Sequence, residues 1–383
     1  MIYNDYLYGK ISLPDYIGEL IESPLVQRLK DISQGVLPQS MIPWNLPSRF
    51  EHSVGVCHLM NQVLKSNNLK FHEPLLLVSA LLHDAGNPAL SHLSEPFLKK
   101  FNGKNGESFL KDTILKFANT RLFDSLCITS EEVISVVTGN NKPLSEILHG
   151  SMDVDNLDNV LRYWYKTTGE KRFDAESIAR SYRFEPAMGL EGLWFLMSNC
   201  QEETKKWQGT RKDVYAKIYG EPDLNAAIMI YRAVYLAQEL GEINEEFFHL
   251  SDTEAIQYLL NCNEWTSHLA RRMIKHEWYP LVYSLETTEP SDSLVQCIKL
   301  DGFRSAVADY ICEQLKIPNG MIGAYVGKGK DARSIHMPFI NSDGHLFLDD
   351  SDSKTIYRFK IYIDPDYTDK TTEVRFWANY MIK

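Results

Sequence analysis

The sequence predicts a mainly α-helical protein with a small α+β carboxy-terminal region. Apolar residues recur at helical spacing through most of the first 316 positions, and Ser, Thr or Pro stand where such helices would start. Beyond Pro318 the pattern changes to glycine-bearing turns between segments rich in aromatic and β-branched residues. We expect a core over residues 1–240, a helical extension over 241–316 and the α+β region over 317–383.

Taken in order, a short helical pattern begins at Ile11 and ends near Glu22. Ser23 and Pro24 open a second through Leu25, Leu29 and Ile32, since proline is preorganised for a first helical turn. A loop with Pro38, Pro43 and Pro47 follows. In RFEHSVGVCHLMNQVL, residues Val56, Leu59, Met60, Val63 and Leu64 form one face of an amphipathic helix that starts near His52. Leu75 to Leu82 reads as a buried apolar helix ending on His83 and Asp84, groups that are costly to bury unless paired or bound to a metal. Thr129 with Glu132 marks a capping box that opens a helix toward Val137. In HGSMDVDNLDNVLRYW, Asp155, Asp158 and Arg162 share helical spacing beside an apolar stripe of Val154, Leu157 and Leu161, so this helix both packs and presents carboxylates. Helical patterns continue over 213–240, with Leu224, Ala227, Ile228 and Tyr231 on one face, and over roughly 253–316. HLFL, YRFKIYI and EVRFWANYMI are expected strands.

Composition narrows the class. With 44% hydrophobic and 24% charged residues the chain is globular rather than disordered. A formal net charge of −11 argues against charge-driven binding to nucleic acid or an anionic membrane. No apolar stretch reaches the length of a membrane span and MIYNDYLYGK lacks the features of a signal peptide, so we expect a cytoplasmic protein. The cysteines at 57, 127, 200, 262, 297 and 312 form no CxxC pair, which points to reduced thiols and to neither a thiolate zinc site nor a disulfide framework.

His52, His83, Asp84 and Asp155 together make a mixed nitrogen and oxygen donor set, suited to one divalent ion of Mn, Fe, Co, Ni, Zn or Mg. Such an ion lowers the pKa of water and polarises a phosphoryl oxygen. Spacing alone leaves bland readings open: a His-Asp pair is commonly a hydrogen-bonded helix end, Arg49 and Arg211 can be surface ion pairs, and Tyr219 can be core.

The context of these residues resembles the HD-domain metal-dependent phosphohydrolases. The segments are Arg49-Phe-Glu-His52-Ser, His83-Asp84 with Gly86 and Ser91-His92, and Asp153-Val-Asp155-Asn-Leu-Asp158 with Arg162. Within that superfamily the chain is similar to the branch of the bacterial dGTP triphosphohydrolases and the animal dNTP triphosphohydrolase with a sterile alpha motif. MIYNDYLYGKISL and SPLVQRLKDISQ carry the resemblance toward the amino terminus, and it weakens after Tyr219. It implies an HD helical bundle over the 1–240 core and an enzyme that hydrolyses a (deoxy)nucleoside triphosphate to nucleoside and triphosphate. It implies metal ligands at His52, His83, Asp84 and Asp155, a phosphate contact at Arg49 and an acid or base at His92. Arg211 and Tyr219 fall on a phosphate-tail arginine and tyrosine, and Gln34 on a glutamine of the sugar side. Homo-oligomers are expected, with a regulatory nucleotide between subunits near Glu22, Gln27 and Lys30.

The chain also departs from that branch. Asn87 stands where a pocket histidine is often found, and Asn cannot shuttle a proton near neutral pH. KNGES, with Lys104, Asn105 and Glu107, lacks a second pocket histidine, and on the sugar side Asn159 and Tyr163 replace a tyrosine and an aspartate. These differences keep two rivals open: a phosphomonoesterase or phosphodiesterase for another nucleotide, and a nucleotide-binding regulator with weak or no catalysis. GAYVGKGKD fails as a phosphate loop in its spacing and reads as a solvated basic turn; any phosphate at Lys328, Lys330 and Arg333 would belong to a subunit contact or a regulatory site. His149 and the remaining lone histidines are assigned no role.

Overall fold

The computed structural model describes residues 1–35, 46–67, 69–117, 121–185, 193–300, 302–330, 333–348 and 353–382. Pro38 and Pro43 of the expected proline-rich loop lie outside them. Contacts divide the described residues into two units, one formed by those within 1–35, 46–214 and 333–348, the other by those within 215–330 and 353–382.

The first unit opens with an antiparallel hairpin, Ile2–Asp5 against Gly9–Ser12. Short helices Asp15–Ile21 and Pro24–Gln27 follow, the second running into a tight turn at Arg28–Asp31. At the centre lies helix Arg49–Lys65, started by a complete capping box between Ser48 and Glu51. The apolar stripe read from the sequence is buried, and so are Gly55, Cys57 and His58 on its other sides. A helix buried all round needs neighbours all round. It has them in the largely apolar helix Glu73–Leu82, in Val154–Thr168 and in Ala175–Ser181.

Helix Ser130–Val137 carries the expected Thr129–Glu132 capping box. On Val154–Thr168 the stripe of Val154, Leu157 and Leu161 is buried, and Asp158 and Arg162 are fully buried with it. A small sheet runs in the order Tyr182–Glu185, Leu193–Met197, Phe339–Ile340, Leu346–Phe347, so part of HLFL is a strand.

The second unit holds helices Asp223–Glu239, Asp252–Leu260 and Glu264–Ile274 and a three-stranded antiparallel sheet. Thr355–Ile363 is its central strand, between Leu281–Thr287 and Ile322–Lys330. Three readings change here. The helical pattern over 253–316 is interrupted by Leu281–Thr287, whose LVYSLET alternates in the manner of a strand. GAYVGKGKD is no turn: it lies largely in the edge strand Ile322–Lys330, buried from Ile322 to Gly327. EVRFWANYMI is helical, within Thr371–Ile382, because Val374 and Ala378 sit one turn apart and both enter the core beneath the sheet. Tertiary packing outweighs the local β propensity there.

Candidate metal centre

Three helix ends bring the donor atoms together. His52 lies in the first turn of Arg49–Lys65, His83 follows the last turn of Glu73–Leu82, and Asp155 lies in the first turn of Val154–Thr168. His52 Nε2 stands 3.0 Å from Asp155 Oδ1 and 3.2 Å from His83 Nε2. Asp84 Oδ2 is 3.6 Å from each of these imidazole nitrogens, and His83 Nε2 is 3.8 Å from Asp155 Oδ1.

Each imidazole is turned by its other nitrogen. His52 Nδ1 donates to Asp158 Oδ1 at 2.8 Å, and His83 Nδ1 donates to the Ala80 carbonyl at 2.8 Å. In those tautomers both Nε2 atoms carry lone pairs, which face each other and two carboxylates across less than 4 Å. Such a cluster of acceptors calls for a cation at its centre. His52, His83 and Asp155 offer donor atoms within 4.8 Å of one another, so the residues fit a divalent ion.

The carboxylates around His52 also favour its protonated form. Burial disfavours the His52 imidazolium, but its bonds to Asp155 and Asp158 outweigh that and raise its pKa to about 9. Burial would raise the pKa of Asp158, yet the Arg162 ion pair and His52 bring it down to about 2. Burial opposes ionisation of Asp84 too, and Arg49 and the two histidines hold it well below the usual carboxylate range. Asp155 is likewise lowered, against burial, by His52 and His83. Asp153, the buried N-cap of the Asp155 helix, moves the other way: burial and the Asp155 charge raise it to about 7.

Asp84 is held at both oxygens. Arg49 Nη1 donates to Oδ2 at 2.5 Å and the Asn87 amide donates to Oδ1 at 2.6 Å. Arg49 also donates from Nε to Ser91 Oγ at 2.6 Å. The Arg28 guanidinium closes the turn by donating from both Nη atoms to the Asn87 carbonyl, at 3.0 Å. Gly86 permits this turn, since a Cβ there would lie 2.2 Å from the Gly106 carbonyl oxygen. Leu90 and Ser91 then adopt left-handed backbone angles, φ 62° and 55°, and lead into His92.

A cavity of about 200 Å³ opens beside the donors, lined by Arg49, His83, Asp84, Asn87, His92, Asp155 and Asn159. His92 is exposed and 3.3 Å from Glu95, whose pKa burial would raise but the His92 contact lowers. Gln34, Tyr163 and Arg211 do not line it. Gln34 keeps both side-chain amide atoms buried without a hydrogen-bond partner among the described residues, Tyr163 is buried, and Arg211 lies on helix Gln201–Ile218. Tyr219 belongs to the second unit, where Arg358 lies 4.4 Å above its ring. Arg333 donates to the Gly150 carbonyl at 2.7 Å in the first unit, whereas Lys328 and Lys330 belong to the second.

The structure adds His149 to the cavity, at the end of the short helix Glu146–His149. Its Nε2 bonds the Val137 carbonyl and its Nδ1 is 4.0 Å from Glu107 Oε1. Only the fold reveals it. The one hint in the sequence is its place a few residues before the Asp153–Asp155 motif.

Fold and donor set define a helical protein whose clustered donors fit a divalent cation beside a buried arginine. Comparisons agree with that class. The HD domain sequence profile matches residues 49–163. The chain is 26% identical over 306 residues to an uncharacterized protein of Methanocaldococcus jannaschii, a match that spans 77% of this chain and 62% of that protein. It is 27% identical over 187 residues to the deoxynucleoside triphosphate triphosphohydrolase SAMHD1 homolog of Dictyostelium discoideum, across 43% of this chain and 36% of that one. In fold it resembles a phosphohydrolase from Bacteroides thetaiotaomicron, with a TM-score of 0.72 at 19% identity over 95% of this chain and 99% of that one. Residues 49–163 thus match an HD domain, and within them His52, His83 and Asp155 form a cluster that could hold a divalent metal ion. Among the described residues no helix is long and apolar enough to cross a membrane.

Proposed function

We propose that this protein hydrolyses nucleotide phosphate esters, acting as a (deoxy)nucleoside triphosphate triphosphohydrolase that releases nucleoside and triphosphate. The observation that carries the reading is the convergence of His52, His83, Asp84 and Asp155 on one point, with Arg49 and His92 lining the same cavity. A divalent ion held by these four residues supplies Lewis acidity toward water and a phosphoryl oxygen. Arg49, buried and aimed by Ser91, neutralises charge on the phosphate and orients it. His92, steadied by Glu95, passes a proton to the departing oxygen. Asn159, which lines the same cavity, is assigned to the sugar side of the substrate, and Asn87 to the phosphate side. A homo-oligomer with a regulatory nucleotide is part of the same reading.

A second reading, a phosphomonoesterase or phosphodiesterase on another nucleotide, draws on Asn87. Its amide is committed to Asp84, so it orients a metal donor and adds no free imidazole to the pocket. One experiment separates the two. The protein is incubated with Mn²⁺ and a panel of nucleotides, and the products are identified by mass. Triphosphate supports the first reading and inorganic monophosphate or linear nucleotide the second. Nucleotide binding without turnover under every metal tried would leave a regulator.

A further inference from the structure

The amino-terminal hairpin reaches the metal centre through a buried chain of charges. Arg162 grips Asp158 with a fork, Nε to Oδ1 at 2.8 Å and Nη2 to Oδ2 at 2.9 Å, and Asp158 holds His52 Nδ1. The third arm of the guanidinium, Nη1, donates to Asp5 Oδ2 at 2.9 Å. Asp158 and Arg162 are fully buried and Asp5 is 5% exposed. Asp5 is fixed in turn by its own hairpin, whose Leu7 and Tyr8 amides donate to Oδ1 at 2.8 and 3.0 Å. The rings of Tyr6 and Tyr8 lie 5.1 and 5.5 Å from the guanidinium carbon and complete its setting.

From this geometry we infer that Asp5 is a positioning residue for the metal ligand His52, acting through Arg162 and Asp158. The physical reason is charge division. Were Arg162 answered by Asp158 alone, the pair would be neutral and Asp158 would draw less strongly on the His52 N–H. Asp5 supplies a second anion, which leaves Asp158 free to pull on Nδ1–H and so to orient His52 and make its Nε2 a better donor to a metal. Space is reserved for the relay: a Cβ at Gly55 would lie 2.0 Å from Asp158 Oδ2 and 2.3 Å from Arg162 Nη2. The hairpin is thus part of the metal centre, although its carboxylate lies 157 positions before Arg162 in the chain.

The inference rests on His52 as a metal ligand, and its test needs no turnover. Mn²⁺ is titrated calorimetrically into metal-stripped wild type and Asp5→Asn, and the visible spectrum of the Co²⁺-loaded proteins is recorded. Asp5→Asn keeps the acceptor for the hairpin amides but removes the charge, and we expect Mn²⁺ affinity to fall about 10-fold or more with an altered Co²⁺ spectrum. Asp5→Glu should recover part of the affinity. Ile11→Ala, a truncation of a buried residue in the same hairpin, should lower the melting temperature and leave Mn²⁺ affinity and the Co²⁺ spectrum unchanged. Should Asp5→Asn fold poorly, Asp5→Ser, whose hydroxyl oxygen still accepts from the hairpin amides but carries no charge, reads the same loss. Wild-type affinity and spectrum in either variant would overturn the relay. Absence of Mn²⁺ binding to wild type would instead overturn the metal site itself.

Discussion

The two walls of the cavity are built differently. The donor wall consists of His83, Asp84 and Asp155, and behind it His52 and Asp158 are 1% exposed or less and are joined by bonds of 2.8 to 2.9 Å that continue to Arg162. On the facing set, His92 and His149 approach Glu95 and Glu107 at 3.3 and 4.0 Å, and the His92 side chain is 71% exposed. Low dielectric and full satisfaction make the first wall rigid, while the second can exchange its carboxylate contacts for those of an incoming anion. Metal affinity should therefore depend on the first wall and turnover on the second.

The largest effect is expected at the donor wall. Asp155→Ala should cut hydrolysis by more than about 100-fold, since losing a ligand costs at least as much as losing a residue that orients one. Initial rates at saturating Mn²⁺ check this, and retained activity would break the division between the walls. His92→Ala should lower kcat by about 100-fold or more while the Mn²⁺ titration stays at the wild-type affinity. A parallel fall in metal affinity would show that the two walls are one.

Gly55→Ala sharpens the same comparison. In an exposed helix this change stabilises, but here the added methyl meets Asp158 and Arg162, and we expect a loss of about 1–3 kcal/mol in thermal or denaturant unfolding. The smallest effect lies outside the cavity. His58 holds Glu176 at 2.9 Å, and this hydrogen bond, working against burial, lowers the carboxyl pKa below 4.5. A carboxylate with a depressed folded pKa contributes stability above its unfolded pKa and loses it as pH falls through the folded value. The melting-temperature gap between wild type and Glu176→Gln should therefore be full at neutral pH and shrink below about pH 4.5.

How far the sequence disclosed this architecture depended on where each cause lay. His52, His83 and Asp155 were legible because the segments around them resemble HD-domain motifs and each segment reads as a helix start or end, where the structure places them. The central helix was legible as one apolar face only; its burial on every side comes from the three helices packed around it. His149 was hidden because a short helix brings it to the cavity without any periodic pattern. Asp5 was hidden because its partner is distant in the chain, and Asn87 lines the cavity as read, while the turn of its amide to Asp84 was not legible. Thr371–Ile382 was misread because aromatic content suggested a strand where Val374 and Ala378 needed a helical face.

The central claim is that His52, His83 and Asp155, with Asp84, hold one divalent ion. Calorimetric titration of Mn²⁺ into metal-stripped wild type and His83→Gln tests it most directly. We expect one ion per chain in wild type and its loss, or an affinity lower by about 100-fold, in the variant. Equal stoichiometry and affinity in the two proteins would contradict it.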